Sequence, residues 1–382
     1  MKIIFAADIS FGFLDNQTTI DPRQAMAEIR EEFSKYDFSM VNMENVFGNK
    51  EDGEAIIKSG PNLISEDSFV QFLDEMNPSV IGLANNHTFD YGKNIMFHTI
   101  DLLKRKGYTV IGAGENLDHA YEPAILEKEG VKVGIIAVCE NEFGGAKVDA
   151  PGTAGYDLTR VTKGIFSLKA QGILPVVYFH GGNESNPIPS PGKVELYRHF
   201  IDLGAEAVIA MHTHCPQGYE IYEGKPIVYS MGNFFFPIEK PWTKSWSYGY
   251  TSVLDIDEDG VKLEVHPYKF DMKGITILKG EEKAFFERYL SVISEPIKNE
   301  KELRDLFDAW CTTQGYFGLL DDCNKEMFSD GKSEEIRHVK NVFGCEAHNE
   351  LVKNTTLMIY ENRIESSKGL VDRIKKLQEL EF

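Results

Sequence analysis

Short apolar runs alternate with amphipathic segments over residues 1–230 of the chain. The apolar runs have the length of buried strands, and the segments between them place apolar residues on one helical face, as Ala25, Ile29 and Phe33 do. This alternation predicts an α/β fold in which helices join the strands. Strands are predicted at residues 2–7, 37–42, 79–83, 108–111, 124–127, 131–138, 174–179, 205–211, 219–222, 226–230, 251–256 and 261–266. Helices are predicted at residues 23–36, 67–76, 94–106, 162–170 and 193–203. Turn residues at 129–130, 223–224 and 257–260 predict three hairpins.

The pattern changes after residue 278, where charges lie between apolar residues at helical spacing. We therefore expect one domain over residues 1–278 and a helical C-terminal region over residues 279–382 that packs on the core or on a partner. This region presents no group of residues that we assign to chemistry. Its helices are predicted at residues 281–294, 301–312, 332–343, 346–360 and 367–381. Its histidines are expected on the surface or in packing and its cysteines as buried thiols, namely His338, His348, Cys311, Cys323 and Cys345.

Composition excludes some classes of function. The chain of 382 residues carries a formal net charge of -20, which argues against binding to nucleic acid and to anionic membrane surfaces. No apolar run approaches the ~20 residues of a membrane-spanning helix. The first residues form a strand-like run without the apolar core of a signal peptide, and the five cysteines show no CxxC pair. We therefore expect a cytoplasmic protein with reduced thiols.

Polar residues follow the ends of several predicted strands. Asp8 ends the first strand, Glu44 follows the second, and Asn86 and His87 follow the third within the segment 84–92. His180 ends a later strand, and the pair His212 and His214 follows the next one. Because a parallel sheet gathers the carboxyl ends of its strands at one edge, we expect these side chains to meet there.

Each of these residues also has a purely structural explanation. The segment 84–92 contains turn formers, Asp8 would serve as a cap, and Glu44 would serve as an ion-pair partner. His180 would be a hydrogen-bonded core histidine, and alternate positions on a strand place two rings on one face without a metal. Their shared position after five strands favours a site.

Carboxylates, an amide oxygen and imidazoles form a mixed oxygen and nitrogen donor set. Such donors suit one or two divalent ions such as manganese, iron or zinc. Two ions sharing Glu44 would hold and acidify a water and stabilise a transferring phosphoryl group. His87 would donate a proton to the leaving oxygen, and Asp90 is close enough in sequence to orient it.

These motifs resemble the capsule-synthesis CapA, or poly-gamma-glutamate synthesis, family, a branch of the calcineurin-like metallophosphoesterases. The resemblance covers roughly residues 1–270 in several blocks that occur in the family's order. The matching blocks are Asp8 with Gly12, Asn42-Met43-Glu44, 84–87 with Asp90 and Gly92, His180-x-Gly182-x-Glu184, His212-x-His214 with Gln217, and 227–234.

The resemblance implies a four-layer α/β/β/α metallophosphoesterase-like sandwich with a metal centre at one edge. It assigns Asp8, Glu44 and His214 to one metal, and it places His87 beside the leaving group. It assigns Glu184 and Asn233 to the substrate side. The second metal would be held by Glu44, Asn86, His180 and His212.

The chain departs from the family pattern at four points. Ser10 replaces a histidine, which leaves the first metal site one imidazole short, and Glu44 replaces a shorter aspartate. Gly181 replaces an aromatic residue and is expected to open space in the cleft. Residues 210–211 replace the glycine that often precedes the His-x-His pair.

Two classes of function follow. The first is a metal-dependent hydrolase, most plausibly a phosphoesterase, that acts on a small-molecule or polyanionic substrate. The alternative is a non-catalytic or weakly catalytic factor in poly-gamma-glutamate or capsular polysaccharide biosynthesis. Hydrolysis of the amide bonds of polyglutamate is a third hypothesis. An acidic protein repels a polyanion unless a local basic patch intervenes. The loop 240–246, with Trp242 and Trp246, would either line such a substrate path or be a solvated loop with aromatic packing. The oligomeric state stays open.

Overall fold

The computed structural model describes residues 1–14, 20–257, 260–315, 325 and 336–382. Strands and helices alternate up to residue 277, and the described residues beyond it form helices and turns. The strands are β1 (Lys2–Ile9), β2 (Phe38–Met43), β3 (Val46–Phe47), β4 (Ile64–Ser65), β5 (Val80–Gly82), β6 (Thr109–Ile111), β7 (Ala113–Gly114), β8 (Ala124–Lys128), β9 (Val131–Cys139), β10 (Gly152–Thr153), β11 (Leu174–His180), β12 (Ala207–Met211), β13 (Tyr219–Tyr222), β14 (Lys225–Val228), β15 (Asn233–Phe235), β16 (Tyr248–Asp257), β17 (Gly260–Asp271) and β18 (Gly274–Ile277). The α-helices are α1 (Pro22–Ala25), α2 (Ala27–Phe33), α3 (Val70–Met76), α4 (Gly92–Arg105), α5 (Leu117–Ala120), α6 (Leu158–Ala170), α7 (Pro191–Asp202), α8 (Gly280–Ser294), α9 (Glu300–Thr313), α10 (Arg337–Gly344), α11 (Glu346–Tyr360), α12 (Ile364–Ser367) and α13 (Val371–Gln378).

Two mixed sheets carry the fold. The first has the strand order β18-β17-β16-β1-β2-β5-β6, with β15 also pairing with β1. Its strands β1, β2, β5 and β6 are parallel neighbours, and β16, β17 and β18 extend it as antiparallel strands. The second has the order β13-β14-β12-β11-β9-β8, in which β9, β11, β12 and β14 are parallel. The chain is thus a mixed α/β protein, as the apolar pattern predicts.

The predicted gathering of strand ends at the edge of a single parallel sheet is wrong. Asp8 and Glu44 lie at the ends of strands of the first sheet, whereas His180 and His212 lie at the ends of strands of the second. The two sheets meet near these strands, where the Tyr178 hydroxyl on β11 donates to the Ala6 carbonyl on β1 at 2.6 Å. Periodicity within a strand does not encode which sheet the strand joins.

The hairpins at 129–130 and 223–224 are confirmed. In each, a glutamate and the following glycine both have positive φ, with 51° and 83° in the first and 49° and 77° in the second. Two successive positive φ angles suit the twist of a two-residue hairpin. The tip of the third hairpin lies partly outside the described residues, although β16 and β17 pair as predicted.

The predicted helix 23–36 is interrupted. It forms two short helices that are separated at Met26, whose φ of -103° and ψ of 6° depart from helical values. The turn at Gly274 lies against the backbone of Ala25, so that a side chain at 274 would collide with it.

The C-terminal helices share the apolar core with the sheets. One continuous core cluster includes Phe5 of β1, Phe179 of β11, Leu306 of α9 and Leu377 of α13. The helical prediction is confirmed for α8, α9 and α11, while part of the predicted helix 332–343 and Cys323 lie outside the described residues. Among the helices that the structure describes, each is too short or too polar to cross a membrane.

Candidate metal centre

Glu44 lies at the middle of the candidate site. It directly follows β2, and its backbone N–H donates to the Ile9 carbonyl at 2.8 Å. Its side chain is fully buried, yet neither carboxylate oxygen has a hydrogen-bond partner among the described residues. A buried ionised carboxylate without a partner is costly, so the arrangement suits a bound cation.

One group of donors, which we call the Asn86 site, consists of Glu44, Asn86, His180 and His212. The His180 Nε2 atom lies 3.0 Å from Asn86 Oδ1, 2.9 Å from His212 Nδ1 and 3.5 Å from Glu44 Oε1. Ligand atoms that share one ion at 2.0–2.2 Å lie about 3 Å apart, so this spacing fits one divalent ion. All of these side chains are less than a tenth exposed.

A second group, the Asp8 site, consists of Asp8, Glu44 and His214, whose donor atoms lie within 4.8 Å of one another. The His214 Nε2 atom lies 3.9 Å from Glu44 Oε1. The Ser10 Oγ accepts a hydrogen bond from the Gly12 N–H at 3.3 Å and is thus engaged within its own turn. The Asp8 site therefore shares Glu44 with the Asn86 site but lacks an imidazole at position 10.

Neighbouring amides hold these ligands in place. The Asn42 amide donates to Asp8 Oδ1 at 2.7 Å, and the His212 backbone N–H donates to Asp8 Oδ2 at 2.9 Å. Asn233 Oδ1 lies 2.8 Å from His214 Nδ1, which leaves Nε2 of that ring toward Glu44. Asn233 is fully buried behind His214 and is not among the residues that line the cavity described below.

The loop that carries the two histidines has an unusual backbone. His212 and His214 have φ angles of 98° and 54°, in the left-handed region that favours glycine. Such conformations cost free energy and persist only where the surroundings impose them. Here they bring both rings of one short loop to the same carboxylate.

Burial sets the protonation of this centre. It raises the pKa of Asp8 and, together with the charge of Asp8, raises that of Glu44 well above its ordinary value. It lowers the pKa of His180 and His214, and with His180 nearby it lowers that of His212 to about 3. Neutral imidazoles are the form that binds metal, and an ionised Glu44 needs a positive partner in the site.

His87 and Asp90 form a buried network with a residue that the sequence did not indicate. His87 Nδ1 lies 2.6 Å from Asp90 Oδ2, and the Lys58 ammonium lies 2.5 Å from Asp90 Oδ1 and 3.1 Å from His87 Nδ1. Burial and the charge of Lys58 lower the pKa of His87. Since Nδ1 is engaged in this network, Nε2 is the ring nitrogen left to face the cavity.

A cavity of about 560 Å³ opens beside these residues, which is the size of a small-molecule pocket. His87, His212 and His214 line one wall, and the exposed carboxylate of Glu184 lies on the same cavity. The aromatic and C-terminal parts of the lining are Phe13, Phe143, Phe236, Trp242, Trp246, Trp310, Gln314, Asn341, Cys345, Ala347, His348, Leu351 and Gln378. Both tryptophans of the loop 240–246 thus line the cavity.

Other outcomes differ from the sequence analysis. Gly181 does not open space, because a Cβ atom there would lie 2.5 Å from Glu140 Cγ and 2.7 Å from the Phe179 ring. Lys58 could not be identified from the sequence because its loop shows no hydrophobic periodicity. Its partners, His87 and Asp90, are 29 and 32 residues away. His348 was expected on the surface or in packing and Cys345 as a buried thiol, and both also line the cavity.

Comparison with known proteins places the site in a family. A family model described as "Bacterial capsule synthesis protein PGA_cap" matches residues 2–237, which include every residue of the Asn86 and Asp8 sites. The chain belongs to this family. The helices α8–α13 lie outside the matched residues.

Curated relatives each match a little under half of the chain. This family member is 30% identical over 189 residues to "Capsule biosynthesis protein CapA" of Bacillus anthracis, with 48% of this chain and 46% of that protein covered. It is 31% identical over 179 residues to "PGA biosynthesis protein CapA" of Bacillus subtilis (strain 168), with 46% and 47% covered. The chain spans about half the length of the curated relatives it matches.

Among solved structures, a 5'-nucleotidase precursor from Thermus thermophilus matches 78% of this chain and 59% of its own, with 14% identity and a TM-score of 0.42. That score is too low to carry an argument about fold or chemistry.

Proposed function

We propose that this chain is a metal-dependent hydrolase, and most plausibly a phosphoesterase. The observation that supports it is the unpartnered Glu44 carboxylate between the Asn86 site and the Asp8 site, beside a cavity of small-molecule size. The donors are oxygen and nitrogen atoms, which suit manganese, iron or zinc. When bound there, divalent ions supply charge that lowers the pKa of a water and offsets the charge of a phosphoryl group.

The residues of the chain then have distinct roles. The ligands of the two sites hold the charge at the cavity wall, and Asn233 orients His214 rather than touching substrate. His87 gives a proton from Nε2 to the leaving oxygen. His87 must be an imidazolium before this transfer and is neutral after it. Asp90 stabilises the imidazolium, and an anionic phosphate in the cavity favours that form because it offsets the charge of Lys58. Glu184, on the cavity wall, would contact the leaving group.

We also propose that the two sheets and their helices form a four-layer α/β/β/α sandwich of the metallophosphoesterase type. The bond from Tyr178 to Ala6 supports facing sheets, and α6 and α7 pack against β11 and β12 of the second sheet. A division into a metallophosphatase-like domain of residues 1–278 and a helical region of residues 279–382 remains part of this proposal. The cysteines described, Cys139, Cys215, Cys311 and Cys345, are buried free thiols, which supports a cytoplasmic location.

A second candidate is a binding factor in poly-gamma-glutamate or capsule biosynthesis with little or no catalysis. The names of the relatives favour it, and so does Ser10, whose hydroxyl is engaged in a local turn where a further imidazole would complete the Asp8 site. In this case the cavity would bind an anionic group without turning it over.

Elemental analysis together with a generic phosphoester assay in added manganese separates the two candidates. The purified protein should hold about two manganese ions per chain and hydrolyse p-nitrophenyl phosphate. Asn86→Ala and His180→Ala should lose metal and turnover together, whereas His98→Ala, a change at a histidine paired with Asp67 on the surface, should keep both. Bound metal without turnover at saturating manganese would reject the hydrolase and favour the binding factor.

A further inference from the structure

A second group of metal-type donors lines the same cavity. Cys345 is the residue before α11, His348 is the third residue of that helix, and Glu142 lies in the loop after β9. The Cys345 sulfur, a His348 ring nitrogen and a Glu142 carboxylate oxygen all lie within 4.8 Å of one another. We call these residues the Cys345 cluster.

The geometry of the Cys345 cluster suits coordination. Cys345 and His348 are three positions apart at the start of a helix, so their side chains share one face. His348 Nε2 lies 3.7 Å from Glu142 Oε1, and the Cys345 sulfur lies 3.7 Å from a carboxylate oxygen of Glu140. Zinc bonds of about 2.3 Å to sulfur and 2.0–2.2 Å to nitrogen and oxygen place donor atoms between 3 and 4 Å apart.

The burial of these side chains and their position in the cavity also support coordination of a cation. Cys345 is 2% exposed and Glu142 is 8% exposed, and both line the cavity with His348. Burial raises the pKa of the Cys345 thiol well above its ordinary value, so the metal-free chain keeps the thiol protonated. Binding of a cation would release protons from Cys345 and His348, as it does at thiolate and imidazole sites in general.

We propose that Cys345, His348 and Glu142 bind one thiophilic divalent cation of the zinc class, with a further coordination position open to the cavity. A thiolate with an imidazole and a carboxylate favours zinc over magnesium or calcium. Three protein ligands and an open position are the arrangement of zinc sites that take an exchangeable ligand. The ion would join α11 to the loop after β9 and place a further cationic group in the cavity.

This proposal does not depend on hydrolase activity, because the two metal regions differ in ligand chemistry. The Asn86 and Asp8 sites contain oxygen and nitrogen donors, whereas the Cys345 cluster contains a thiolate. Cobalt(II) bound to a thiolate produces a sulfur-to-metal charge-transfer band in the near ultraviolet, and cobalt bound to oxygen and nitrogen alone does not. Absorption during a cobalt titration therefore reports on the Cys345 cluster by itself.

The experiment is a cobalt(II) titration of the full chain carrying Glu44→Gln, which removes the carboxylate shared by the other two sites. We expect the band to saturate at about one ion per chain and to disappear on competition with zinc. Cys345→Ser should abolish it and His348→Ala should weaken cobalt binding at least tenfold. Cys311→Ser, at another buried thiol, should leave it unchanged.

Two results would overturn the proposal. The first is the absence of a charge-transfer band in folded protein, which would leave the cluster as an ion pair that holds α11 on the loop. The second is a band that survives Cys345→Ser but is lost in Cys215→Ser, which would assign the thiolate to the residue next to His214. His348→Ala keeps the thiol in place, so it tests the site even where Cys345→Ser fails to fold.

Discussion

The Asn86 site and the Asp8 site share one carboxylate but are not equally complete. In the Asn86 site, donors from both sheets touch at 2.9–3.5 Å, and two imidazoles take part. In the Asp8 site, the nearest approach of His214 to Glu44 is 3.9 Å, and position 10 holds a serine whose hydroxyl is bonded to its own turn.

In the proposed two-metal centre, a serine at position 10 would weaken one site without disturbing the other. Ser10 removes a donor only from the Asp8 site, so that site depends on Asp8, on the shared Glu44 and on the orientation of His214. We expect the Asn86 site to fill first as metal is added, and the Asp8 site to fill at higher concentration.

The largest effect should come from Glu44→Gln, because both sites lose their shared charge. We expect manganese bound at the Asn86 and Asp8 sites and phosphoester turnover to fall to background, as measured by elemental analysis and steady-state assays. The metal-free variant should nevertheless be more stable to heat than the metal-free parent, since a neutral amide replaces a buried carboxylate without a partner. Retention of both ions would show that Glu44 does not bridge the sites.

His87→Ala should lower turnover by roughly 10²–10⁴-fold while metal content stays constant, because a proton donor is lost and no ligand is removed. Parallel measurements of turnover and bound metal test this expectation. Loss of metal would make His87 a ligand of the Asn86 site, and unchanged turnover would remove it from proton transfer.

Asn233→Ala should affect the Asp8 site alone. Loss of the bond to His214 Nδ1 frees the ring, and outer partners of this kind typically contribute roughly 10–100-fold to metal affinity. A manganese titration should show the weaker binding phase shifted and the tighter phase unchanged. Asn354→Ala, which removes an amide bond to Asp308 among the C-terminal helices, is the control and should shift neither phase.

Ser10→Ala should have the smallest effect. Metal content and turnover should match the parent, and stability should fall by about 1 kcal/mol through the lost bond from Gly12. Chemical denaturation combined with elemental analysis provides the check. A clear drop in metal content would mean that the serine hydroxyl is itself a ligand.

Most elements of the fold could be predicted from local patterns. The hairpin at Glu129-Gly130 could be predicted because its turn needs two positive φ angles. The strands that end near Asp8 and His180 could be predicted because their apolar runs are visible in the local sequence. The break at Met26 could not be predicted from local patterns, and the turn at Gly274, which lies against the preceding residue Ala25, is far away in sequence.

The candidate site shows the same limit. Strand ends indicated the ligands, but they did not reveal that the donors belong to two sheets, since pairing partners are a tertiary property. Lys58 lies in a loop without periodicity, and Cys345 meets Glu140 across 205 residues. A C-x-x-H spacing was visible in the sequence, although only the folded chain brings a carboxylate beside it.

The bond from Tyr178 to Ala6 has a mechanical consequence. Asp8 and Glu44 are carried by one sheet and the histidines by the other, so the separation of the sheets at this point sets the size of the space between the donors. A small cation and a larger one would therefore differ in how far they pull the sheets together. The stiffness of the contact between the two sheets would then help to decide which ion binds. Tyr178→Phe, which removes this bond, should let the protein accept a wider range of ionic radii.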